Sequence, residues 1–166
     1  MKITLEWLKE KGACDDGIAW FEAQKKTESH TVLKALIADE KFDYANWLIV
    51  RVMTRHQYLG YAIFAAEQVI DIYEKKYPNE DRPRKAIEAA RVVLANDTPE
   101  TRAAARDAAW AARAAWAARA AGAAAGAAAW AAAGAAAGAA AWDAKKQMQL
   151  KILEYGIGLL ESESDK

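Results

Sequence analysis

Apolar residues recur at three- and four-residue spacing along most of the chain, which is the period of an α-helix with one buried face. The best example extends from about Arg55 to Lys76 and carries this apolar series: Leu59, Ala62, Ile63, Ala66, Val69, Ile70 and Tyr73. Alternating runs of β-branched residues, the usual sign of strands, are short and few. The pattern therefore predicts an all-α protein, a compact bundle of seven to nine helices.

Helix starts are expected where a side-chain oxygen can accept from the free N–H groups of a first turn. We expect such residues to open helices at these positions: Thr4, Asp15 or Asp16, Thr31, Asp43 and Thr54. Pro83 suits the first turn of a further helix. The run Asn96-Asp97-Thr98-Pro99 combines a stop, a cap at Thr98 and a proline at the first helical position.

The composition changes from residue 98 onward. The span from Ala120 to Trp142 has 17 Ala, four Gly, two Trp and no charge. Its length would cross a membrane, but without Leu, Ile, Val or Phe it lacks the apolar area that drives insertion. We instead expect alanine-, glycine- and tryptophan-lined helices in close contact inside the protein, with no membrane partner.

Glycines and tryptophans in this span recur every four residues from Gly122 to Trp142. A four-residue step advances about 40° around a helix, so the series sweeps about 200° and cannot face one straight partner. We expect the helix to break between Ala120 and Gly126, and again near Gly138. An ordinary amphipathic helix should follow from about Ala144 to Glu161.

These patterns predict one helical domain over residues 1–166. Within it, residues 1–97 form helices of mixed composition, residues 98–161 form alanine-rich helices, and residues 162–166 form a frayed tail.

The balance of charge argues against one class of function, general nucleic-acid binding. The chain has 23 basic and 23 acidic residues, whereas a general nucleic-acid binder normally carries a basic excess. The single cysteine, Cys14, cannot form an intramolecular disulfide, which favours a reducing compartment, the cytoplasm. The first six residues become charged too soon for a secretory leader.

No catalytic or phosphate-binding motif is present in the sequence. The best polar cluster places four side chains along one flank of the Arg55–Lys76 helix: His56, Glu67, Asp71 and Glu74. Such a flank could hold a metal ion, but a solvated helix boundary explains it equally well and more simply. We therefore predict no metal and no cofactor.

Arginines provide the second candidate site. Arg102, Arg106 and Arg113 fall within about 40° of one another on a helix, and Trp110 and Trp116 lie on either side of them. Guanidinium groups beside indole rings could hold an anionic, base-containing ligand. The alternative is a solvated helix on which arginine stems cover tryptophan edges.

Further anion contacts are available elsewhere in the chain. The candidates are Arg51, Arg55, Arg82, Arg84 and Arg91. Arg84 is also spaced from Glu88 as an ordinary i,i+4 ion pair.

One part of the chain resembles a known family. The segment F-A-A-E-Q-V-I-D-I-Y-E over residues 64–74 is followed by Tyr77-Pro78 and by D-R-P-R-K-A-I-E-A-A-R over residues 81–91. This run is similar to the core of the "putative immunity protein" family of bacteria and phages, A-E-x-V-x-x-x-(F/Y)-E…P…D-x-R-P-R-x-A-I-E-A-A-R. The resemblance covers roughly residues 61–144.

Two further features bear on this resemblance. The opening of the chain looks like the start of phage-encoded members, on these residues: Trp7, Gly12-Ala13-Cys14, Gly17, Trp20 and Phe21. Members often carry histidines in their alanine-rich helices, where this chain has Ala, Gly or Trp. A ligand role for such histidines is therefore not expected here.

The resemblance implies a non-enzymatic immunity or anti-defence protein of phage or prophage type. It would act in the host cytoplasm by capturing a partner, either a protein effector or a small anionic, nucleotide-like molecule. Two alternatives stay open. One is a self-associating structural protein that buries alanine faces between chains as a homo-oligomer. The other is a helical enzyme with a cryptic site around Glu67, Asp71 and Arg84.

Overall fold

The computed structural model describes the backbone of residues 1–111 and 134–162 and the side chains of residues 1–111 and 143–162. Eight α-helices lie in these ranges: α1 Leu5–Glu10, α2 Asp15–Gln24, α3 Ser29–Ala38, α4 Phe42–Val52, α5 Arg55–Lys76, α6 Arg82–Ala95, α7 over residues 99–111, and α8 Gly134–Ser162. The described residues form no strand, apart from an isolated bridge between Lys2 and Glu28. The all-α prediction is confirmed.

Several predicted helix starts are confirmed by the hydrogen bonds at their caps. Thr4 Oγ1 accepts a backbone N–H of α1 at 3.2 Å. The N–H of Gln57 donates to Thr54 Oγ1 at 3.3 Å, and the N–H of Thr54 donates back to Gln57 Oε1 at 2.9 Å, which is a capping box. Thr98 and Thr101 exchange the same two bonds before α7, at 3.2 and 3.0 Å. Hydrogen bonds between residues that are close in sequence therefore set the start of each of these helices.

Three predicted caps are wrong. The helix α2 begins at Asp15 after Cys14, which makes no side-chain cap hydrogen bond, so Asp15 and Asp16 lie inside its first turn. The helix α3 begins at Ser29, so Thr31 lies inside its first turn, because the chain before it pairs with the N-terminal segment: the N–H of Ser29 donates to the Met1 carbonyl at 2.9 Å. The helix α4 begins at Phe42 after Lys41, and Asp43 lies within its first turn. A carboxylate there is favourable without capping, since it lies near the positive end of the helix dipole.

The start predicted for the last helix is also wrong. The helix α8 begins ten residues before Ala144 and passes through Gly138 without a break. Each glycine costs about 1 kcal/mol relative to alanine, but the intervening alanines are the strongest helix formers and keep the helix continuous. The break predicted between Ala120 and Gly126 lies outside the described residues. Of the predicted tail over residues 162–166, Ser162 is the last residue of α8, and residues 163–166 lie outside the described residues.

The chain divides into two compact units. Unit 1 consists of Met1–Tyr58 and Gln149–Lys166, and unit 2 consists of Leu59–Met148. In unit 1 the most deeply buried large side chains are Ile3, Val32, Leu33, Ile49 and Leu153. In unit 2 the described buried side chains include Tyr61, Ile63, Ile70 and Val93. The organisation as one domain stays a prediction.

Two contacts in unit 1 join segments that are distant in sequence. The buried side chain of Gln57 donates from Nε2 to the carbonyl of Leu159 at 2.8 Å. Lys34 Nζ lies 2.7 Å from Glu161 Oε1. The end of α8 is therefore part of the same unit as α3 and the start of α5.

The burial of Leu33, which has no exposed surface, predicts a large effect of truncation. Leu33→Ala should lower the free energy of unfolding by about 2–5 kcal/mol, because it removes apolar contacts and leaves a cavity. Chemical denaturation followed by circular dichroism measures this change. Ile72→Ala, at a side chain that is 66% exposed, is the control and should change it by less than about 0.5 kcal/mol. Equal effects of the two substitutions would contradict the core described here.

Candidate functional site

The helices α5 and α6 form the part of unit 2 in which the predicted polar cluster lies. A short turn at Tyr77-Pro78 ends α5, and the N–H of Tyr77 donates to the Tyr73 carbonyl at 2.9 Å. Pro83 lies in the first turn of α6, as its fixed φ favours. The apolar series of α5 and that of α6 border a common space, described below.

Arginines of α6 reach carboxylates of α5. Arg84 donates from Nε to Glu74 Oε1 at 2.5 Å and from Nη2 to Asp71 Oδ1 at 3.3 Å. Arg91 donates from Nε to Glu67 Oε1 at 2.9 Å. The predicted flank of Glu67, Asp71 and Glu74 is therefore engaged by two guanidinium groups.

The two acids follow one order along α5, and their arginine partners follow the reverse order along α6. Glu67 and Glu74 are seven residues apart, as are Arg84 and Arg91, and the earlier acid pairs with the later arginine. Such matched spacing is what an antiparallel helical hairpin requires, since seven residues are about two turns. The matched spacing is visible in the sequence, but only when the charged positions of the two helices are compared with each other.

Arg84 does not use its predicted partner within α6. The i,i+4 spacing favoured Glu88, whereas the guanidinium of Arg84 donates to both Asp71 and Glu74. The planar guanidinium group presents several N–H donors in a fixed arrangement that suits two carboxylates at once. A pair within α6 would give Arg84 only one acceptor side chain. The contact with α5 gives it two, so it forms more hydrogen bonds there.

A third ion pair closes the loop between the helices. The carboxylate of Glu80 is buried, with 6% of the residue exposed, and it accepts from Arg82 Nε at 2.5 Å and from the Arg82 backbone N–H at 3.3 Å. A buried carboxylate needs such donors, because its charge is costly away from water. Its hydrogen bond raises the pKa of the Arg82 guanidinium above the ordinary value.

The charges of these side chains compensate one another. The hydrogen bond from Arg84 is the main cause that holds the pKa of the Glu74 carboxyl below its ordinary value of 4.5. The same pair raises the pKa of Arg84. At neutral pH this cluster is therefore a set of ion pairs, which is unlike a general base or an anion receptor with a charge to spare.

Beside the ion pairs, the apolar faces of α5 and α6 border a groove of about 360 Å³, in which Ile63 and Ile70 are buried and Val69 is exposed. We call it the α5–α6 groove, and its lining residues are Leu59, Ala62, Ile63, Ala66, Val69, Ile70 and Tyr73 from α5, and Pro83, Ala86, Ile87 and Ala90 from α6. The α5 part is the apolar series that the sequence placed on one face. It extends about 21 Å from Leu59 to Tyr73 at 1.5 Å per residue.

The remaining predicted arginines near α5 lie elsewhere. Arg51 stacks on the Trp47 ring, with 3.9 Å between the guanidinium carbon and the ring centroid, and donates to the Trp47 carbonyl at 2.8 Å. Arg55 and His56 are exposed at the start of α5. All four of these residues belong to unit 1, so they are not part of the ion-pair cluster.

The predicted arginine and tryptophan site on the alanine-rich helices is only partly described. Arg102 donates from Nε to Asp97 Oδ1 at 2.5 Å. Arg106 is exposed, and Trp110 is 69% exposed on the same helix, α7. Arg113 and Trp116 lie outside the described residues. The joint site stays a prediction.

Metal binding and membrane insertion can both be considered for the part of the chain that the structure describes. Within it, no group of three or more His, Cys, Asp or Glu side chains is arranged to hold a metal ion. None of its helices combines the length and the apolar character that crossing a bilayer requires.

The lowered pKa of Glu74 predicts how stability depends on pH. A carboxyl whose pKa is lower in the folded state stabilises that state above its ordinary pKa, and this contribution is lost as the pH falls through the folded value. The thermal midpoint should therefore fall as the pH drops below about 4.5, and fall less steeply in Glu74→Gln. Thermal unfolding between about pH 3 and pH 7 measures both slopes. Glu88→Gln, which removes an exposed acid outside these pairs, is the matched control. An identical acid-side slope in Glu74→Gln and the unmodified protein would contradict the pairing.

Comparison with known proteins bears on the same region. The sequence profile of the family described as Imm-5 like putative immunity protein matches residues 49–151, which include α5, α6 and the groove between them. No curated protein and no solved structure shows significant similarity to the chain. The four residues of the two antiparallel pairs, Glu67, Glu74, Arg84 and Arg91, all lie inside the matched range. Since the profile covers well over half of the chain, the protein belongs to the Imm-5 like putative immunity protein family.

Proposed function

We propose that this protein acts as an immunity-type factor that neutralises a protein effector by binding it, without chemistry of its own. Family membership supplies the immunity-type role. The α5–α6 groove is the observation that carries the choice of a protein partner, because it is long, is lined almost entirely by apolar side chains, and exposes Val69. Grooves of this kind suit an amphipathic helix of another protein.

The state of the arginines favours a protein effector over a small anion. Arg84, Arg91 and Arg102 already donate to carboxylates of the same chain. An anionic ligand would have to displace those carboxylates, and each exchange returns little net energy because one charged hydrogen bond replaces another. The same pairing weighs against the alternative of a cryptic enzyme site around Glu67, Asp71 and Arg84.

The shape of the groove favours a helix as the bound element. Its length of about 21 Å corresponds to about four helical turns. Four alanines, Ala62, Ala66, Ala86 and Ala90, line its walls and take up little space. A partner helix with bulky apolar side chains would fill the volume that these alanines leave and bring the helices into close contact.

Val69 marks the edge of this groove. Its side chain is 46% exposed although it lines the groove, so a bound helix would remove further apolar surface from water at that point. No basic or acidic side chain is among the described lining residues. Binding should therefore depend mainly on apolar burial and respond weakly to salt.

The proposal also includes the cellular compartment in which the effector is bound. Two expectations from the sequence support this part of the proposal: the predicted resemblance of the opening to phage-encoded members, and a single cysteine, which suits a reducing compartment. We place the captured effector in the cytoplasm of a bacterial host, where a phage- or prophage-type protein would meet it.

Co-expression with each neighbouring gene product that stops the growth of host cells, taken as the candidate effector, tests the proposal. The chain should restore growth of cells that express this effector, and Val69→Glu should abolish the rescue because binding would bury an unpaired charge. The expected loss is about 2 kcal/mol or more, roughly thirty-fold in Kd, measured by calorimetry on the purified pair. Each variant is first checked for its helix content by circular dichroism.

Val92→Glu is the matched control for this experiment. Val92 is 54% exposed and belongs to α6, but it does not line the groove, so this variant should rescue growth and bind like the unmodified chain. Full rescue by Val69→Glu would overturn the groove as the binding site. A chain that fails to bind the effector, but forms a dimer that Val69→Glu dissociates in native mass spectrometry, would favour the self-associating alternative.

A further inference from the structure

A second cavity lies in unit 1, on residues that precede the segment matched by the family profile. We call it the N-terminal cavity. Its volume is about 300 Å³, and it lies among α1, α2, α3 and α4. Well-packed cores contain few voids larger than a water molecule. A cavity of about half this volume is enough to hold benzene, so this one has room for a bicyclic aromatic molecule.

Aromatic rings form much of its wall. Trp20, Phe21, Tyr44 and Trp47 all line the cavity, together with aliphatic side chains. The faces of aromatic rings carry partial negative charge and attract cations, most strongly for Trp. A wall of this composition can bind both the apolar body and the cationic group of an organic ammonium ion.

Two of these rings are held in place by contacts with other side chains. The indole N–H of Trp20 donates to Asp39 Oδ2 at 2.8 Å. The Trp47 ring has the Arg51 guanidinium at 3.9 Å from its centroid and meets the Trp7 ring edge-on, with 6.5 Å between the two ring centroids. Because these contacts already order the wall, a ligand would not have to do so, and its binding would be correspondingly stronger.

The charges around the cavity are mixed: its described lining holds one carboxylate, while Arg51 lies against the Trp47 ring and Lys41 against the Tyr44 ring without being among the lining residues. Asp43 contributes the carboxylate among the described lining residues, and none of those residues is Lys, Arg or His. The hydrogen bond with Cys14 is the largest cause that raises the pKa of Tyr44, burial is the next, and the charge of Asp16 adds to it. Within the described lining, the Asp43 carboxylate favours a cation over an anion.

We propose that the N-terminal cavity is a binding site for a small organic ammonium ion with an aromatic body. The aromatic body fills the space between the rings of Trp20 and Trp47. The ammonium group pairs with the Asp43 carboxylate and lies against the aromatic wall. This site belongs to unit 1, so it is separate from the α5–α6 groove and does not depend on the proposed capture of an effector.

Cys14 provides a direct reporter of occupancy. It is the one cysteine of the chain, it is exposed, and it lines the cavity. A bound molecule should shield its thiol from alkylation by iodoacetamide. The rate of alkylation, followed by intact-protein mass spectrometry, therefore measures binding without any change to the sequence.

The experiment compares three probes that share the indole ring: tryptamine, indole and indole-3-acetate. Tryptamine should bind and slow the alkylation of Cys14 about tenfold at ten times its Kd. Indole-3-acetate, which has a negative charge in place of the ammonium group, should bind at least about tenfold more weakly by calorimetry. Uncharged indole should lie between them.

Variants separate the contribution of charge from that of the apolar wall. Asp43→Asn should weaken tryptamine about fivefold and leave the affinity for indole unchanged. Glu22→Gln removes an exposed acid from α2 that does not line the cavity, so it should leave both affinities unchanged. Trp20→Leu should weaken both probes at least about tenfold while the helix content by circular dichroism is kept.

Three results would overturn the proposal. The first is the absence of any protection of Cys14 by millimolar tryptamine. The second is an affinity for indole or indole-3-acetate equal to that for tryptamine, which would remove the preference for a cation. The third is tryptamine binding that survives both Asp43→Asn and Trp20→Leu unchanged.

Discussion

The two carboxylate–guanidinium contacts between α5 and α6 fix the register of this hairpin. The facing walls are rich in alanine, and one alanine fits as well as the next, so apolar packing alone would allow one helix to slide along the other. A shift of one turn would place Arg84 opposite Asp71, which it already contacts, but would separate Arg91 from Glu67, so the Glu67–Arg91 pair opposes the shift. Exposed ion pairs add little stability, but they can select one arrangement among several of similar energy. The position of the α5–α6 groove depends on that selection.

The parts of the fold that the sequence predicted well are those governed by residues close together in the chain. The bounds of α5 and the caps at Thr54 and Thr98 depend on hydrogen bonds that span three residues. The start of α3 depends on a backbone bond to Met1, and such a contact between distant segments leaves no local trace. The early start of α8 shows a different limit, since glycine lowers helix propensity without ending a helix.

The candidate site was predicted as a set of residues but not as an arrangement. Periodicity placed Glu67, Asp71 and Glu74 on one flank of α5, and the structure brings them to the arginines of α6. Which arginine meets which acid follows only from the antiparallel direction of the two helices. Periodicity also marked Leu59 to Tyr73 as an apolar face, yet it cannot tell whether a neighbouring helix covers such a face or leaves it open as a groove.

The bond between Gln57 and the Leu159 carbonyl has a consequence for how the protein is made. Unit 1 takes its first 58 residues from the beginning of the chain and the rest from Gln149 onward, so the whole of unit 2 is inserted between its two segments. A ribosome therefore releases α1 to α4 long before Leu153, one of the most deeply buried side chains of the same core, has been synthesised. During that interval, part of the apolar surface of α1 to α4 stays exposed to solvent. Nascent chains with such exposed surface are the ones that rely on chaperones.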